Sequence, residues 1–283
     1  MQSLRQAKSH DHERDLRIHA YWYKLGLHLF GSPNSHLGEQ GVAMIGNGKP
    51  SAIILAAGVG SRLAPLTERI PKCLVPVAGK PILLHQIEAF QQCGVKNILV
   101  VAGYLAEEVK NALNGSATVL VNSEFRSTNN MYSLGLAAPL VDGPSLLVNG
   151  DVMFDSSILE DLLKEPFPDL IAVDRGRYIP ESMKVAVVEG RITRISKEIQ
   201  AQEAFGCSID LYRFSPATMT RLRAIIDRYL HSGERNHWTE VAINDLLGQS
   251  EIRPFGINGR RWTEIDNMED LREAENTWSP KAS

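Results

Sequence analysis

A glycine-rich turn followed by two basic residues is the feature of this chain that most directly indicates chemistry. The apolar run Ile53–Ala57 leads into Gly58 and Gly60, and Arg62 and Lys72 follow. A strand that ends in glycines can present bare backbone N–H groups to a phosphate. Because Arg62 and Lys72 would add positive charge at the same place, the pattern predicts a cradle for a triphosphate. The residues expected to form the cradle are Leu55, Ala56, Ala57, Gly58, Gly60 and Ser61.

Two better-known phosphate-binding motifs do not fit these residues. A dinucleotide-binding turn requires a third glycine at the position where this chain has Leu63. A P-loop requires Ser or Thr after Gly-Lys, whereas Gly48-Lys49 and Gly79-Lys80 are both followed by proline. The remaining alternative is a tight turn that binds no ligand. The length of the pattern, which continues through Pro71-Lys72 to Pro81, argues against that alternative.

The segment from Ser51 to about Ala112 resembles the N-terminal signature of the sugar-nucleotidyltransferase superfamily. The matching strings are Leu55-Ala56-Ala57-Gly58-Val59-Gly60-Ser61-Arg62-Leu63 and Pro71-Lys72-Cys73-Leu74-Val75-Pro76-Val77-Ala78-Gly79-Lys80-Pro81. A second string is similar to one in cytidylyltransferases that act on phosphocholine and related phosphorylated or phosphonylated substrates. That string is Thr128-Asn129-Asn130-Met131-Tyr132-Ser133-Leu134. The resemblance extends from Ser51 to about Glu275.

The resemblance implies an enzyme, a magnesium-dependent cytidylyltransferase. It would join CMP from CTP to a small phosphorylated metabolite and release pyrophosphate, with phosphocholine as the first candidate acceptor. An alternative acceptor is 2-aminoethylphosphonate or another phosphorylated small molecule, and a further alternative is a sugar 1-phosphate with UTP or dTTP as the donor. A silent relative that serves as a regulatory subunit is the alternative outside enzymes. The joint presence of Arg62, Lys72, Asp151 and Asp266 argues against a silent relative.

Two aspartates are the predicted ligands of Mg2+. Asp151 follows Gly150 at the end of the apolar segment Ser145–Val148, and Asp266 precedes the last predicted helix. Magnesium prefers oxygen ligands, usually one or two carboxylates together with substrate phosphates. The resemblance assigns the superfamily's two metal-binding aspartates to these positions. On local grounds, Asp151 also fits a turn residue, and Asp266 also fits a helix N-cap with Glu269.

The implied reaction makes few demands on protein groups. An oxygen of the acceptor phosphate attacks the α-phosphorus of the nucleotide while pyrophosphate departs, so the protein must hold two anions together and neutralise developing charge. The acceptor phosphate is already ionised at neutral pH, so a dedicated general base is not required. The predicted catalytic residues are Arg62, Lys72 and Lys197, and the resemblance places Lys197 where the superfamily has a lysine that binds the acceptor phosphate.

The nucleobase and the acceptor are expected to meet different residues. The Thr-Asn-Asn sequence favours CTP over UTP or dTTP, and the predicted nucleotide-binding residues outside the cradle are Asn122, Thr128, Asn129, Asn130 and Gly150. A quaternary ammonium acceptor would require aromatic faces and carboxylates, whereas a primary amine would require carboxylates more than aromatic rings. The predicted acceptor-binding residues are Tyr178, Glu181, Lys184, Lys197, Trp238, Glu240, Trp262 and Glu264.

The elements that must position these residues alternate between strand and helix from Ser51 onward. Predicted strands cover Ala52–Ala56, Asn97–Ala102, Thr118–Val121, Ser145–Val148 and Leu170–Val173. Predicted helices cover Pro81–Gln92, Leu105–Leu113, Asn130–Leu140, Ser157–Leu163, Ala217–Tyr229, Thr239–Leu247 and Asn267–Glu275. This alternation predicts an α/β, Rossmann-like fold with a mostly parallel sheet and helices on both faces. Ligands of such folds bind at the carboxyl ends of the strands, where Gly58 and Asp151 both fall.

Two parts of the chain depart from that alternation. Between Lys184 and Arg213 the segments are short, β-rich and separated by turns, which resembles the small sheet insertion that forms the acceptor side in these enzymes. Residues 1–50 are predicted to form an N-terminal extension with one amphipathic helix within Arg14–Phe30, and residues 51–283 are predicted to form the catalytic domain.

Composition narrows the classes of partner. The formal net charge of -3 over 283 residues gives no electrostatic reason to expect a nucleic acid or an anionic membrane. No apolar run approaches the roughly 20 residues of a membrane span. Three widely spaced cysteines and a polar N-terminus favour the cytoplasm. The expected partners are CTP and a small phosphorylated or phosphonylated acceptor, and assembly into a homo-oligomer stays open.

Overall fold

The computed structural model describes residues 45–279, and the helix predicted within Arg14–Phe30 lies outside the described residues. The strands are β1 (Ser51–Ala56), β2 (Pro76–Val77), β3 (Lys80–Pro81), β4 (Asn97–Ala102), β5 (Thr118–Val121), β6 (Ser145–Asn149), β7 (Val152–Phe154), β8 (Leu170–Arg175), β9 (Lys184–Val188), β10 (Arg191–Ser196), β11 (Gly206–Phe214), β12 (Arg253–Gly256) and β13 (Trp262–Glu264). The helices are α1 (Ile82–Gln92), α2 (Ala106–Leu113), α3 (Asn130–Ala137), α4 (Ser156–Lys164), α5 (Pro216–His231), α6 (Thr239–Leu247) and α7 (Met268–Trp278).

A nine-stranded sheet forms the centre of the described chain. Its main path runs β10-β9-β11-β6-β1-β4-β5, and β8 pairs with both β11 and β12. The neighbours β6, β1, β4 and β5 are all parallel, while β11 is antiparallel to β6, β8 and β9. Every residue of β1 is buried, because strands flank it on both sides and helices cover both faces. The predicted α/β, Rossmann-like fold is confirmed.

The two faces of the sheet have separate apolar cores. On one face, α3, α5 and α6 pack against Ile53 and Leu55. On the other face, α1, α2 and α4 pack against Ala52, Ile54 and Ala56. Successive side chains of a strand point to opposite faces, so an uninterrupted apolar run is what a strand covered on both sides requires. Within residues 45–279, none of the helices combines the length and the apolar character needed to cross a membrane.

The predicted β-rich insertion is present, but it extends the central sheet and is not a separate one. Strands β9 and β10 form an antiparallel hairpin, and Gly206 and Cys207 of β11 join β9 to the rest of the sheet. The predicted helix over Asn130–Leu140 is shorter than expected, because α3 ends at Ala137 and a 3-10 turn, Ala138–Leu140, follows. Pro139 lacks the backbone N–H that a continuing α-helix would need.

The last segment of the described chain packs beside the end of β6. Strand β13 pairs antiparallel with β7, and the Ile265 backbone N–H donates to the Asp151 carbonyl at 3.0 Å. The N-cap of α7 is Asn267, whose side-chain oxygen accepts from the Glu269 and Asp270 backbone N–H groups. The alternative that Asp266 caps this helix with Glu269 is therefore wrong. The Asp266 side chain instead contacts Arg62 and Lys72 in the site described below.

Candidate active site

The carboxyl ends of β1 and β6 open into a cavity of about 340 Å³. Residues from both the glycine-rich turn and the end of the described chain line it, as the sequence predicted. The predicted residues that line the cavity are Leu55, Ala57, Gly58, Gly60, Ser61, Arg62, Lys72, Asn122, Thr128, Asn129, Asn130, Asp151, Lys197, Trp238, Glu240, Glu264 and Asp266.

Close packing at Gly60 sets the position of Lys72. Gly60 has a φ of 68°, in the left-handed region that favours glycine. A Cβ atom at this position would lie 2.7 Å from the Lys72 Cβ. The Gly60 carbonyl also accepts hydrogen bonds from the Leu63 backbone N–H and the Thr67 hydroxyl, both at 2.9 Å. Glycine is therefore required here so that the lysine stem can lie directly on the turn.

Two predicted nucleotide-binding residues, Ala56 and Gly150, do not line the cavity. A Cβ atom on Gly150 would lie 2.8 Å from the Ala56 Cβ. The Gly150 backbone N–H donates to the Leu55 carbonyl at 2.9 Å. These residues hold the ends of β1 and β6 together behind the cavity, and this contact brings Asp151 next to the glycine-rich turn.

Lys72 lies between the two predicted metal ligands. Its ammonium is 2.6 Å from Asp151 Oδ2 and 2.6 Å from Asp266 Oδ1, and the Arg62 guanidinium is 2.9 Å from Asp266 Oδ2. Burial opposes the charge on Lys72, but the two carboxylates outweigh burial and raise its pKa. Burial likewise opposes ionisation of Asp266, and Lys72 and Arg62 outweigh it and lower the pKa of that carboxyl. Lys72 and Asp266 are therefore both charged at neutral pH.

The second oxygen of Asp151 is the one buried polar atom of this group without a partner in the described chain. Asp151 Oδ1 is inaccessible to solvent, and residues 45–279 supply it with no hydrogen bond. A buried carboxylate oxygen without a hydrogen bond is costly, by roughly 1–3 kcal/mol or more. A further cation or hydrogen-bond donor beside Asp151 Oδ1 would therefore stabilise the cluster.

The predicted nucleobase-binding turn is held rigidly from within. The Asn122 amide donates to the Thr128 hydroxyl and the Ser133 hydroxyl, both at 3.1 Å, and its carbonyl oxygen accepts from the Glu124 backbone N–H at 2.9 Å. Asn129 is the N-cap of α3, and its side-chain oxygen accepts from the Asn130 backbone N–H. Asn129 thus caps the helix and also lines the cavity.

A cluster of buried carboxyls forms a further wall of the cavity, close to Asp151. The Tyr212 hydroxyl is 3.0 Å from Asp210 Oδ1 and 3.0 Å from Glu240 Oε1, and the Asn149 amide donates to Asp210 Oδ2 at 3.0 Å. Burial, together with neighbouring carboxylates, raises the pKa of Asp210 to about 7 and that of Glu264 to about 9. Burial also raises the pKa of Glu240. The wall would favour a cationic group, which would restore the charged state of these carboxyls.

An irregularity in β11 lies beside Asp210. The register between β11 and β8 shifts between Ser208 and Tyr212. Asp210 lies at this point with a φ of 53°, in the left-handed region that aspartate tolerates better than most residues. The neighbours Ile209 and Leu211 are fully buried in the apolar core on one face of the sheet, and Tyr212 belongs to the core on the other face. Side chains therefore still alternate along the strand, and Asp210 lies on the face opposite Ile209 and Leu211, where it lines the cavity.

Four predicted acceptor-binding residues do not line the cavity: Tyr178, Glu181, Lys184 and Trp262. Lys184 is fully buried, and its ammonium donates to the Pro180 carbonyl at 2.6 Å. The Trp262 indole N–H donates to Asp174 Oδ2 at 2.8 Å. The Tyr178 ring lies 5.2 Å from the Lys184 ammonium. Of the three predicted aromatic residues, Trp238 alone reaches the cavity, and the Lys197 ammonium lies 4.9 Å from its ring centre.

Five cavity residues were not predicted from the sequence: Phe125, Ser133, Asn149, Met183 and Asp210. Two of them, Asp210 and Asn149, had sequence features that could have identified them. Asp210 is a charged residue within the apolar segment Ile209–Leu211, which calls for an explanation in any buried strand. Asn149 directly precedes Gly150 at the end of a strand that was itself predicted correctly. Nothing local distinguished Phe125 or Met183.

Protonation of Asp210 makes a testable contribution to stability. Because its pKa is raised to about 7 in the native state from an ordinary value of 3.8, native Asp210 holds a proton that the unfolded chain has already released. This contribution to the free energy of unfolding should fall by roughly 1–2 kcal/mol between about pH 6 and pH 8.5. Urea unfolding of the ligand-free protein should show a steeper fall for wild type than for Asp210→Asn. Equal slopes for the two proteins would contradict the assignment.

Comparison with known proteins decides the family. The model of the MobA-like NTP transferase domain matches residues 52–239, which is most of the described chain. The chain belongs to this family. The predicted membership of the nucleotidyltransferases, and with it the prediction of an enzyme of this class, is therefore confirmed.

Individual relatives within the nucleotidyltransferases include several cytidylyltransferases. The chain is 32% identical over 246 residues to the CMP-5'-(3-aminopropyl)phosphonate synthase of Streptomyces rubellomurinus, with 81% of this chain and 39% of that protein covered. It is 28% identical over 247 residues to the CTP:phosphoglutamine cytidylyltransferase of Campylobacter jejuni, with 78% and 97% covered. The solved structure of the CTP:phosphocholine cytidylyltransferase of Streptococcus pneumoniae superimposes with a TM-score of 0.71 at 26% identity, with 81% and 98% covered.

The chain and its relatives differ in length. The chain spans 39% of the Streptomyces protein and about half of two further bifunctional relatives. The chain therefore shares the fold and the family of these relatives, and its substrates have to be inferred from the residues of the site.

Proposed function

We propose that this chain is a cytidylyltransferase that transfers CMP from CTP to a small phosphorylated or phosphonylated amine and releases pyrophosphate. The observation that carries the proposal is a single cavity lined by two sets of residues of opposite character. The glycine-rich turn, Arg62 and Lys72 offer it hydrogen-bond donors and positive charge. Asp210, Glu240 and Glu264 offer carboxyls to the same cavity. An acceptor with an anionic end and a cationic end matches this arrangement.

The residues present fit Mg2+ between the two substrates. Asp151 and Asp266 are hard oxygen ligands of the kind that magnesium prefers, and Asp151 Oδ1 is a buried oxygen without a partner in the described chain. Residues 45–279 contain no group of three or more His, Cys, Asp or Glu side chains that could hold a metal without other ligands. Two carboxylates completed by substrate phosphates would satisfy a magnesium ion. Bound there, the ion would neutralise charge on the phosphates during transfer.

The chain's own basic residues account for the rest of the phosphate chemistry. Arg62 is 65% exposed at the mouth of the cavity, and its guanidinium can form paired hydrogen bonds with phosphate oxygens. Lys197 lies on the acceptor side, where its ammonium can bind the acceptor phosphate and keep it beside the nucleotide. Held in this way, the attacking oxygen and the α-phosphorus gain from proximity without a general base.

The carboxyl wall favours a primary amine over a quaternary ammonium as the cationic end. A quaternary ammonium has no N–H to donate and is bound best by several aromatic faces, whereas, within residues 45–279, the cavity is lined by two aromatic residues, Phe125 and Trp238, and by three carboxyls beside the Lys72 cluster. A protonated primary amine can donate to three acceptors at once, which suits three carboxyls. This reverses the order of acceptors expected from the sequence. An aminoalkyl phosphonate or phosphate comes first, in keeping with the name of the Streptomyces relative, and phosphocholine second.

A pyrophosphate-release assay of four nucleoside triphosphates against a panel of acceptors tests the proposal. The panel contains 2-aminoethylphosphonate, 3-aminopropylphosphonate, phosphoethanolamine, phosphocholine, 2-hydroxyethylphosphonate and glucose 1-phosphate. CTP should exceed UTP, ATP and dTTP by at least about tenfold in kcat/KM, because a mismatched buried polar group costs roughly 1–3 kcal/mol. Preference for UTP or dTTP with glucose 1-phosphate would replace the proposal by the sugar-nucleotide alternative.

The same assay with Glu240→Gln tests the acceptor assignment. Loss of one charge-assisted hydrogen bond should raise the KM for the amino acceptors by roughly 10- to 100-fold. Because hydroxyethylphosphonate has no amine, the KM for this acceptor should change little. Glu251→Gln, which alters an exposed pair with Arg253 away from the cavity, is the matched control. An equal loss with both kinds of acceptor would show that Glu240 does not recognise the amine.

A further inference from the structure

The loop that carries Trp238 into the cavity is attached to the nucleobase-binding turn. We call residues 234–238, between α5 and α6, the Trp238 loop. The Arg235 carbonyl accepts from the Asn129 backbone N–H at 3.2 Å, and the His237 carbonyl accepts from the Met131 backbone N–H at 3.3 Å. On the far side of Trp238, the Thr239 backbone N–H donates to the Asn130 side-chain oxygen at 2.8 Å. The backbone on both sides of Trp238 is thus fixed to the start of α3.

An ion pair outside the cavity strengthens this attachment. The Arg235 guanidinium is 2.8 Å from Glu124 Oε2 and lies over the Tyr132 ring, 5.6 Å from its centre. The Tyr132 hydroxyl donates to Glu124 Oε1 at 2.7 Å. Glu124 also accepts the Thr128 hydroxyl through its backbone carbonyl at 2.9 Å. Neither Arg235 nor Glu124 lines the cavity, so neither is placed to touch a substrate.

Trp238 depends on these contacts for its position. Its side chain is 47% exposed, so close packing on all sides does not hold it. Trp238 is also the N-cap residue of α6, where it provides no side-chain cap. The point at which its indole enters the cavity therefore depends on its backbone, which the Asn130 side-chain oxygen and the Arg235–Glu124 pair hold against the start of α3. Within the cavity the Lys197 ammonium lies 4.9 Å from the ring centre.

We propose that Asn130 and Arg235 are positioning residues that set acceptor binding through Trp238. This inference rests on the proposed function in one respect, the assignment of Trp238 to the acceptor wall. The Asn130 side-chain oxygen then serves the acceptor half of the site, although the residue stands in the sequence that indicates the nucleobase. The Thr-Asn-Asn turn and the acceptor wall behave as one unit. A substitution in the turn therefore changes acceptor affinity more than it changes the preference for one nucleobase.

Steady-state kinetics with Arg235→Gln separates this role from a structural one. The KM for the acceptor should rise by about 5- to 20-fold, because a displaced wall weakens acceptor binding, while the KM for CTP and kcat change less than about twofold. Arg228→Gln is the matched control, since Arg228 also joins α5 to α6 through an exposed pair with Asp245. Asn130→Ala should act in the same direction, and Asn130→Asp, which keeps an oxygen acceptor for the Thr239 N–H, should restore most of the acceptor KM.

Hydrogen exchange gives a readout that does not depend on activity. In Asn130→Ala the backbone amide of Thr239 should exchange at least about tenfold faster than in wild type, because its hydrogen bond is lost, with little change in Arg228→Gln. Unchanged exchange in Asn130→Ala, together with an unchanged acceptor KM in Asn130→Ala and Arg235→Gln, would overturn the inference. A rise confined to the KM for CTP in these two variants would overturn it as well. A wild-type protein with no transferase activity in the acceptor panel would refute the proposed function instead, and the exchange data would still decide whether the loop is attached as described.

Discussion

Replacing Asp151 with asparagine is expected to lower turnover by about 10²-fold or more while the fold stays intact. The carboxylate is one of two that pair with Lys72 in the lining of the cavity, and its Oδ1 is a buried oxygen without a partner in the described chain. An asparagine amide keeps the shape of the side chain but loses the charge that would bind Mg2+ and that holds Lys72. Turnover at limiting magnesium measures the loss of activity, and circular dichroism with thermal unfolding measures whether the fold stays intact.

Asp155→Asn is the matched control for this variant. Asp155 lies four positions further along the chain, but its carboxylate pairs with the exposed Arg261 guanidinium at 2.8 Å and does not line the cavity. The Asp155→Asn variant should keep near-normal turnover. A folded Asp151→Asn protein with the activity of wild type at limiting magnesium would end the assignment of Asp151 as a metal ligand.

Replacing Lys72 with methionine is expected to reduce kcat/KM by about 10²- to 10³-fold, to a similar degree with every acceptor. The lysine ammonium lies between Asp151 and Asp266. On the proposed function it contacts the triphosphate, so its loss should affect a step that all acceptors share. Methionine keeps the apolar stem that packs on Gly60 but leaves Asp151 and Asp266 without the charge between them. Removing one partner of a largely buried ion cluster should also lower the free energy of unfolding, by about 2 kcal/mol.

Lys80→Met serves as the control, because Lys80 belongs to the same sequence signature but pairs with Glu88 at the surface. It should leave both turnover and stability close to those of wild type. An effect of Lys72→Met confined to one acceptor would move Lys72 to the other half of the site. An unchanged unfolding free energy would mean that the two carboxylates do not need the ammonium between them.

The place of the glycine-rich turn in the cavity lining was predictable because the turn is local in sequence. Gly58, Gly60 and Arg62 follow one strand within a few residues, and the chemistry of the turn depends on short-range geometry that residue types reveal. The central strands were predictable for a related reason. A strand covered on both faces needs an uninterrupted apolar run, and Ala52–Ala56 supplies one.

The rest of the cavity lining was predicted less well because it depends on long-range packing. Lys184 and Trp262 have the right chemistry for acceptor binding, yet the first is buried against backbone carbonyls and the second donates to Asp174. Asp210 lines the cavity because β11 packs antiparallel to β6, a pairing that residue types do not announce. The cap of α7 is Asn267 and not Asp266, a difference of one position that residue preferences alone do not resolve.

The pairing of β13 with β7 has a consequence for the order in which the enzyme acquires its activity during synthesis. Lys72 is separated by 79 residues from Asp151 and by 194 residues from Asp266, and the β7–β13 pair brings the last of these into place. A nascent chain that has emerged as far as β12 already contains the central sheet and the glycine-rich turn, but it lacks both Glu264 and Asp266. On the proposed function, nucleotide turnover is therefore expected only after β13 has emerged and paired with β7. A chain cleaved between β12 and β13 should form two inactive fragments, and the return of activity would report their reassociation.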